Sequence, residues 1–176
     1  MRFLETPIAG AWLVDLEPRA DERGFFARVW DTEVLVSRGL RGDFIQCNES
    51  GSVRRGTLRG LHYQAAPYGE VKLVHCTRGR VFDVVADVRT DSPTYLQWFG
   101  AELSRDNRRL MYVPEGCAHA YLSLEDDCEV IYPVTAAYRQ DAERGIRWND
   151  PAIGIQWPIE PVVLSDKDRR WPDFQR

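Results

Sequence analysis

The chain has 176 residues, a length typical of one domain, and we expect a single domain over residues 1–176. Hydrophobic residues make up 44% of the sequence and charged residues 28%, which supplies enough apolar material for a sizeable core and excludes an intrinsically disordered chain. The 23 lysines and arginines are outnumbered by 27 aspartates and glutamates, giving a formal net charge of −4. This balance argues against nucleic acid as a partner.

Targeting signals and cysteine patterns indicate the compartment. The longest apolar runs are far shorter than the roughly 20 residues that a membrane helix needs. The opening MRFLETPIAG lacks the basic region followed by an apolar region that marks a secretion signal. The four cysteines, Cys47, Cys76, Cys117 and Cys128, form no C-x-x-C pair and are interpreted as reduced, mostly buried thiols. We therefore expect a cytoplasmic protein without a membrane partner.

Strand signals dominate the sequence. Short runs rich in Val, Ile, Tyr, Phe and Thr alternate with Gly, Pro, Asp and Asn, a pattern typical of an all-β sandwich or barrel. Arg78-Gly79 predicts a tight hairpin, because glycine supplies the positive φ that such turns need. The predicted strands, in chain order, are Trp12–Glu17, Phe25–Trp30, Phe44–Ser50, Gly56–Tyr63, Glu70–Thr77, Arg80–Val88, Tyr95–Leu103, Arg109–Val113, Ala118–Leu124 and Cys128–Val134.

Helices are predicted to be short and peripheral. One is expected over Asp31–Ser37, with its first residue as the N-cap. After Val134 the sequence changes to Tyr, Pro, Trp and charged residues, which predicts a tail that wraps the sandwich. This tail is expected to end in a helix near Ser165–Arg170, where Ser165 and Asp168 have the spacing of a capping box.

Several polar residues interrupt the apolar strands. Alternation places Lys72 on the same face as Val74 and Cys76, and a lysine on the inward face of a sandwich is costly unless it meets an anion or a developing negative charge. His62 and Tyr132 also lie within predicted strands. Taken singly, Tyr132 is more often a core residue than a catalyst, and His62 is equally consistent with either role. Together these residues favour a polar pocket inside the sandwich.

The residue types in this pocket limit its chemistry. Metal-binding β-barrels usually present a His-x-His pair, whereas His62 is followed by Tyr63 and Gln64, so no metal site is predicted. No serine or cysteine has the setting of a nucleophile elbow. What remains is proton transfer together with stabilisation of an anion.

Motifs spread along nearly the whole chain carry a resemblance to a known family. They are Asp21-Glu22-Arg23-Gly24-Phe25-Phe26, Gln46-Cys47-Asn48-Glu49-Ser50, Leu58-Arg59-Gly60-Leu61-His62-Tyr63-Gln64, Lys72-Leu73-Val74, Asp83 to Arg89, Ser92-Pro93-Thr94, Leu103-Ser104 with Asn107, Pro114-Glu115-Gly116 with Ala118-His119, Trp148-Asn149-Asp150-Pro151, Trp157-Pro158 and Ser165-Asp166-Lys167-Asp168. With these motifs in this order, the chain resembles the nucleotide-sugar 4-keto-6-deoxyhexose 3,5-epimerases, the dTDP-4-dehydrorhamnose 3,5-epimerase family.

The resemblance implies a fold, an assembly and a set of site residues. The fold would be a cupin-like jelly roll, in a homodimer that exchanges N-terminal strands, without metal or cofactor. Its substrate would be a nucleotide-diphosphate 4-keto sugar. By resemblance, His62 is the catalytic base, Asp168 orients it, Lys72 lies beside the keto oxygen and Tyr132 donates a proton. The implied substrate-binding residues are Arg23, Phe25, Arg28, Gln46, Asn48, Arg59, His119, Tyr138 and Lys167.

The sequence departs from the usual family pattern near these positions. Arg28 stands where glutamate is common, Tyr121 where the pattern has phenylalanine, and Pro133 where lysine is common. Arginine offers only hydrogen-bond donors, so Arg28 leaves the nucleotide carrier open between dTDP and CDP or GDP. An epimerase that inverts only one carbon and a non-catalytic sugar-nucleotide-binding cupin remain alternatives to the 3,5-epimerase.

Overall fold

The computed structural model describes residues 1–175, which form thirteen strands and two short helices. The strands are β1 (Arg2–Glu5), β2 (Trp12–Asp15), β3 (Arg19–Asp21), β4 (Gly24–Phe26), β5 (Gln46–Ser52), β6 (Leu58–Gln64), β7 (Lys72–Arg78), β8 (Arg80–Asp87), β9 (Trp98–Ser104), β10 (Arg109–Val113), β11 (Cys117–Ser123), β12 (Cys128–Val134) and β13 (Glu143–Gly145). The helices are α1 (Thr32–Val36) and α2 (Asp166–Arg170).

Two antiparallel sheets form the body of the protein. The six-stranded sheet has the order β1-β2-β10-β7-β12-β5, and the five-stranded sheet has the order β13-β6-β11-β8-β9. A separate two-stranded ribbon pairs β3 with β4. The predicted all-β sandwich with short peripheral helices is thereby confirmed.

The hydrophobic core follows the alternation of side chains along the strands. On β7, Val74 and Cys76 join a buried cluster that also contains Val85 of β8 and Tyr121 of β11, so this cluster lies between the sheets. Leu73 points the other way, into a second cluster. The predicted faces of β7 are therefore confirmed. Strand periodicity of two residues places Lys72 on the inward face.

The predicted hairpin at Arg78-Gly79 is wrong. Gly79 does have a positive φ of +69°, as a tight turn requires. However, β7 pairs with β10 and β12 in one sheet, whereas β8 pairs with β11 and β9 in the other. The turn carries the chain from one sheet to the opposite one. A local turn signal does not specify whether the strands on either side of it pair with each other.

Short strands were the hardest elements to predict. Only Phe25 and Phe26 of the predicted strand Phe25–Trp30 lie in a strand, β4, because within residues 1–175 β4 pairs with the three-residue β3 alone. Strands β1, β3 and β13 were not predicted. Each has only three or four residues, too few for an alternation to be recognised.

Both predicted helices are confirmed, and their caps are as expected. The Asp31 side chain accepts hydrogen bonds from the backbone N–H groups of Glu33 and Val34 at the start of α1. Ser165 accepts one from the N–H of Asp168 at the start of α2. Three of the four cysteines are buried and all are unpaired, which confirms the prediction of mostly buried thiols. Within residues 1–175, no helix is long and apolar enough to cross a membrane.

Candidate active site

A cavity of about 480 Å³ opens between the two sheets. Its walls come from β6 and β11 on one side, β5, β7 and β12 on the other, and the segment that leads into α2. The lining residues are Ser50, Thr57, Leu58, Arg59, His62, Lys72, His119, Tyr121, Tyr132, Val163, Leu164, Ser165, Lys167 and Asp168. A smaller space of about 190 Å³ adjoins it, since His62, Lys72 and Tyr132 line both.

His62 and Asp168 form a hydrogen-bonded pair at this cavity. His62 lies on β6, and its Nε2 is 2.5 Å from Oδ1 of Asp168 on α2. Burial acts to raise the pKa of Asp168, but hydrogen bonds from His62 and Ser165 outweigh it and hold the pKa below its ordinary value. The carboxylate is therefore ionised at neutral pH and accepts a hydrogen bond from the imidazole N–H. Such a partner fixes the ring and stabilises its protonated form.

A close approach of the C-terminal segment supports the His62 ring. Gly145 of β13 lies directly opposite His62, and a Cβ at this glycine would come within 2.0 Å of the Trp171 indole. The missing side chain lets Trp171 pack edge-on against His62, with ring centroids 6.3 Å apart. The imidazole is thus confined by an aromatic neighbour as well as by Asp168.

Lys72 is a buried cation in the same cavity, with only 7% of the residue exposed. Its Nζ lies 3.2 Å from Oε1 of Glu70 and donates a hydrogen bond of 3.4 Å to the backbone oxygen of His62. The Glu70 carboxylate offsets the cost of burying the ammonium group. Glu70 was not among the predicted site residues, because it precedes β7 and faces the cavity only through the fold.

Tyr132 lies on the facing sheet, in β12. It pairs with Asn48 of β5, so both residues face the same space. Burial raises the pKa of the Tyr132 phenol. The hydroxyl therefore keeps its proton at neutral pH and can act as a proton donor.

A second histidine and aspartate pair lies deeper in the protein. Nε2 of His119 on β11 is 2.8 Å from Oδ2 of Asp83 on β8, and both residues are buried. The other carboxylate oxygen, Oδ1, has no hydrogen-bond partner in the described part of the chain. In the sequence Asp83 begins one of the family motifs, but it was not predicted as a site residue. Its pairing with His119 depends on the adjacency of β8 and β11.

Four predicted binding residues line the cavity or the adjoining space: Gln46, Arg59, Tyr138 and Lys167. Gln46 accepts a hydrogen bond of 3.0 Å from the backbone N–H of Tyr138, and the Tyr138 hydroxyl donates one of 2.9 Å to Glu143. Glu143 also forms an ion pair with Lys167. Arg59 is exposed and donates a hydrogen bond of 2.7 Å to a backbone oxygen of β5. Glu143 itself was not predicted, because β13 carries no recognisable strand signal.

Three predicted binding residues do not line the cavity. Arg23 is exposed and pairs with Asp21. Phe25 is 57% exposed, with the Arg108 guanidinium 4.1 Å above its ring. Arg28 pairs with Asp31 at 2.6 Å. Within one chain these residues are separate from the site, and their predicted role in substrate binding stays a prediction.

No group of three or more His, Cys, Asp or Glu residues suited to a metal ion occurs in residues 1–175. The groups gathered at the cavity are instead an imidazole, an ammonium, a phenol and carboxylates. These groups can remove a proton from carbon, stabilise the resulting anion and return a proton.

Comparisons with known proteins identify the family. The family model described as dTDP-4-dehydrorhamnose 3,5-epimerase matches residues 5–176. An enzyme of that name from Methanothermobacter thermautotrophicus is 46% identical over 174 residues, covering 97% of this chain and 92% of the relative. The 3,5-epimerase from Bacillus anthracis, crystallised with TDP and PPi, superimposes with a TM-score of 0.94 at 40% identity, covering 98% of this chain and 99% of that one.

Other solved structures agree with this assignment and confirm the cupin-like fold. An epimerase from Legionella pneumophila in complex with dTDP-4-keto-L-rhamnose has a TM-score of 0.90 at 34% identity, covering 99% of both chains. A 3'-monoepimerase from Streptomyces bikiniensis, in complex with dTDP-quinovose, has a TM-score of 0.88 at 34% identity, covering 96% of this chain and 85% of that one. The chain therefore belongs to the dTDP-4-dehydrorhamnose 3,5-epimerase family.

Proposed function

We propose that this chain catalyses epimerisation at C3 and C5 of a dTDP-4-keto-6-deoxyhexose, in the synthesis of a rhamnose-type deoxysugar. The observation that carries the proposal is one cavity, in a member of this family, lined by the His62–Asp168 pair, Lys72 and Tyr132.

Proton removal is the first step. The ketone at C4 acidifies the hydrogens at C3 and C5, so one base can act at either carbon. His62 takes the proton, and the ionised Asp168 stabilises the imidazolium that forms. Since the neighbouring Trp171 confines the imidazole, little reorganisation accompanies the transfer.

The enolate needs a positive charge, and the inverted carbon needs a proton from the other face. The Lys72 ammonium, held in the buried cavity, stabilises the negative charge that develops on the C4 oxygen. Tyr132 then donates its phenolic proton to the carbon. Its position on the sheet opposite His62 suits delivery to the other face of the sugar.

Substrate binding is assigned to the residues around the reacting groups. His119, held by Asp83, and Asn48 contact the sugar, while Arg59 and Lys167 provide charge for the diphosphate. Gln46 and Tyr138 line the smaller space that adjoins the cavity and contact the substrate there. Arg23, Phe25 and Arg28 would bind the nucleotide from a second copy of the chain.

The proposal includes a homodimer that exchanges N-terminal strands, one domain over residues 1–176, no cofactor and a cytoplasmic location. The six-stranded sheet supports the dimer, because β1 and β5 form its two edges. Uncovered edge strands tend to pair with another chain, and strand exchange would cover an edge.

Incubation with dTDP-4-keto-6-deoxyglucose in heavy water tests the proposal. We expect deuterium to appear at both C3 and C5 together with inversion of both carbons. NMR and mass spectrometry measure the two changes. A His62→Ala variant should lose exchange at both carbons. Exchange retained in that variant would refute the assignment of the base, and absence of exchange in the wild-type chain with every carrier tested would refute the enzyme.

A single-centre epimerase is the second candidate, favoured by the similarity to the 3'-monoepimerase. Deuterium at only one carbon in the same experiment would establish it. The carrier is tested by comparing dTDP-, CDP- and GDP-linked 4-keto sugars, because the departure at Arg28 concerns the nucleotide and leaves the reacting groups unchanged.

A further inference from the structure

Tyr121 places a second phenol in the catalytic cavity, and the mechanism above does not use it. The residue lies on β11 in the five-stranded sheet, is 4% exposed and lines the cavity with Tyr132. Its hydroxyl donates a hydrogen bond of 2.8 Å to Oγ of Ser50 on β5 in the facing sheet. A hydroxyl pair thus joins the two walls beside the proton donor.

Strand register locates this pair relative to Tyr132. Tyr132 pairs with Asn48, and Ser50 lies two residues further along β5. Side chains two residues apart on a strand share a face, and diagonal neighbours on adjacent strands are about 7–8 Å apart at Cα. Tyr132 also packs against the core cluster that contains Tyr121. Tyr121, Ser50 and Tyr132 therefore surround one corner of the cavity.

The hydroxyl row continues along the edge strand. Ser52 follows Ser50 on the same face of β5, and its buried Oγ has no hydrogen-bond partner within residues 1–175. Ser50 is only partly buried, and β5 is the edge of its sheet. Hydroxyl hydrogens rotate, so each of these groups can accept a hydrogen bond as well as donate one, and the direction of the row can reverse.

Inversion at two carbons requires a proton source for Tyr132, and this row of hydroxyl groups can supply one. After the first inversion Tyr132 is a phenolate and must regain a proton before it can act again. The His62 side chain is 32% exposed, so its extra proton can leave to solvent. On the proposed mechanism the sugar lies between His62 and Tyr132, so Tyr132 needs a proton source on its own side of the cavity. Burial raises the pKa of Tyr121 as well as that of Tyr132, so both phenols hold a proton at neutral pH.

We propose that Tyr121 and Ser50 return a proton to Tyr132 between the two inversions. The Tyr121 O–H bond breaks as its proton passes to the Tyr132 phenolate, directly or through one water. In the same concerted shift Ser50, with its hydroxyl turned to donate to Tyr121, passes its proton to Tyr121 while it takes one from a solvent water at β5, so no serine alkoxide forms. Over each inversion one proton leaves through His62 and one enters through Ser50, so the protons balance. This inference rests on the proposed 3,5-epimerase function.

In the family pattern that the sequence resembles, the position of Tyr121 is a phenylalanine, which has no proton to give. With phenylalanine the proton must return through water alone. Removing the Tyr121 hydroxyl should therefore slow the second inversion more than the first.

A single-turnover measurement tests the proposal. Excess enzyme is mixed with dTDP-4-keto-6-deoxyglucose, quenched over time, and the fractions inverted at one and at two carbons are measured by NMR. In Tyr121→Phe we expect an unchanged first inversion and a second inversion slowed roughly tenfold or more, since positioned proton-transfer groups contribute about 10²-fold or more and water replaces them in part. Ser50→Ala should act in the same direction.

Tyr112→Phe is the matched control. Tyr112 is also a buried tyrosine, 3% exposed, but its hydroxyl donates to the backbone oxygen of Arg41 outside the cavity. This variant should leave both inversions unchanged. If Tyr121→Phe slows both inversions equally, or neither, the proton-return role is overturned while the epimerase proposal stands. If the wild-type chain produces no inversion at all, the proposed function fails first.

Discussion

Replacing Asp168 by asparagine isolates the electrostatic part of its contact with His62. Asparagine keeps the size of the side chain but removes the charge that faces Nε2 at 2.5 Å. A hydrogen bond to a charged group contributes about 1.5–3 kcal/mol. At about 1.4 kcal/mol for each factor of ten, the rate of proton removal should fall roughly 10- to 150-fold. The assay is the rate of deuterium incorporation at C3 and C5 in heavy water.

Asp166→Asn provides the control on the same short helix. Within residues 1–175, the Asp166 side chain contacts only Arg170, in an exposed ion pair of 3.2 Å with side chains 84% and 77% exposed. Exposed pairs contribute little, so this variant should exchange deuterium at the wild-type rate. An Asp168→Asn variant with wild-type exchange, or an equal loss in both variants, would refute the assigned role of the carboxylate.

Three further predictions concern the donor, the core and acid stability. Tyr132→Phe should retain deuterium exchange but lose inversion by roughly 10²-fold or more, measured by NMR. Leu110→Ala, at a fully buried site, should lower the free energy of unfolding in urea by about 2–5 kcal/mol, whereas Val162→Ala at an exposed site should change it by less than about 0.5 kcal/mol. For Asp87, burial raises the pKa, but hydrogen bonds from Arg89 and two hydroxyls outweigh it and lower the pKa from 3.8 to about 2. The lowered pKa contributes about 2 kcal/mol to the free energy of unfolding above pH 4, and this contribution is lost as the pH falls toward 2. The difference in the free energy of unfolding between wild type and Asp87→Asn, measured in urea at each pH, should therefore shrink on acidification.

Local signals predicted the elements better than their partners. Alternation along β7 was sufficient to put Lys72 on the inward face, and cap residues located both helices. The turn at Gly79 was recognised, yet the strands on either side of it belong to different sheets. Pairing depends on the packing of the whole sandwich, which a two-residue turn does not encode.

The candidate site shows the same division. A lysine within an apolar strand and the motifs around His62 were visible in the sequence, because a buried charge and an ordered series of motifs need no coordinates to be recognised. The sequence did not reveal three contacts of the site, which are those of Glu70 with Lys72, Asp83 with His119 and Glu143 with Lys167. Two of these three pairs join residues more than 20 positions apart in the chain, and their geometry depends on which strands become neighbours.

The sequence by itself therefore determined the all-β class, the inward face of β7, the caps and the family, since each follows from residue type and spacing. Only the tertiary structure decided which side chains share the cavity, how Asp168 reaches His62 across 106 positions of sequence, and that Tyr121 meets Ser50 beside Tyr132. Distant residues become neighbours through sheet packing, and the chemistry of the site depends on those distances.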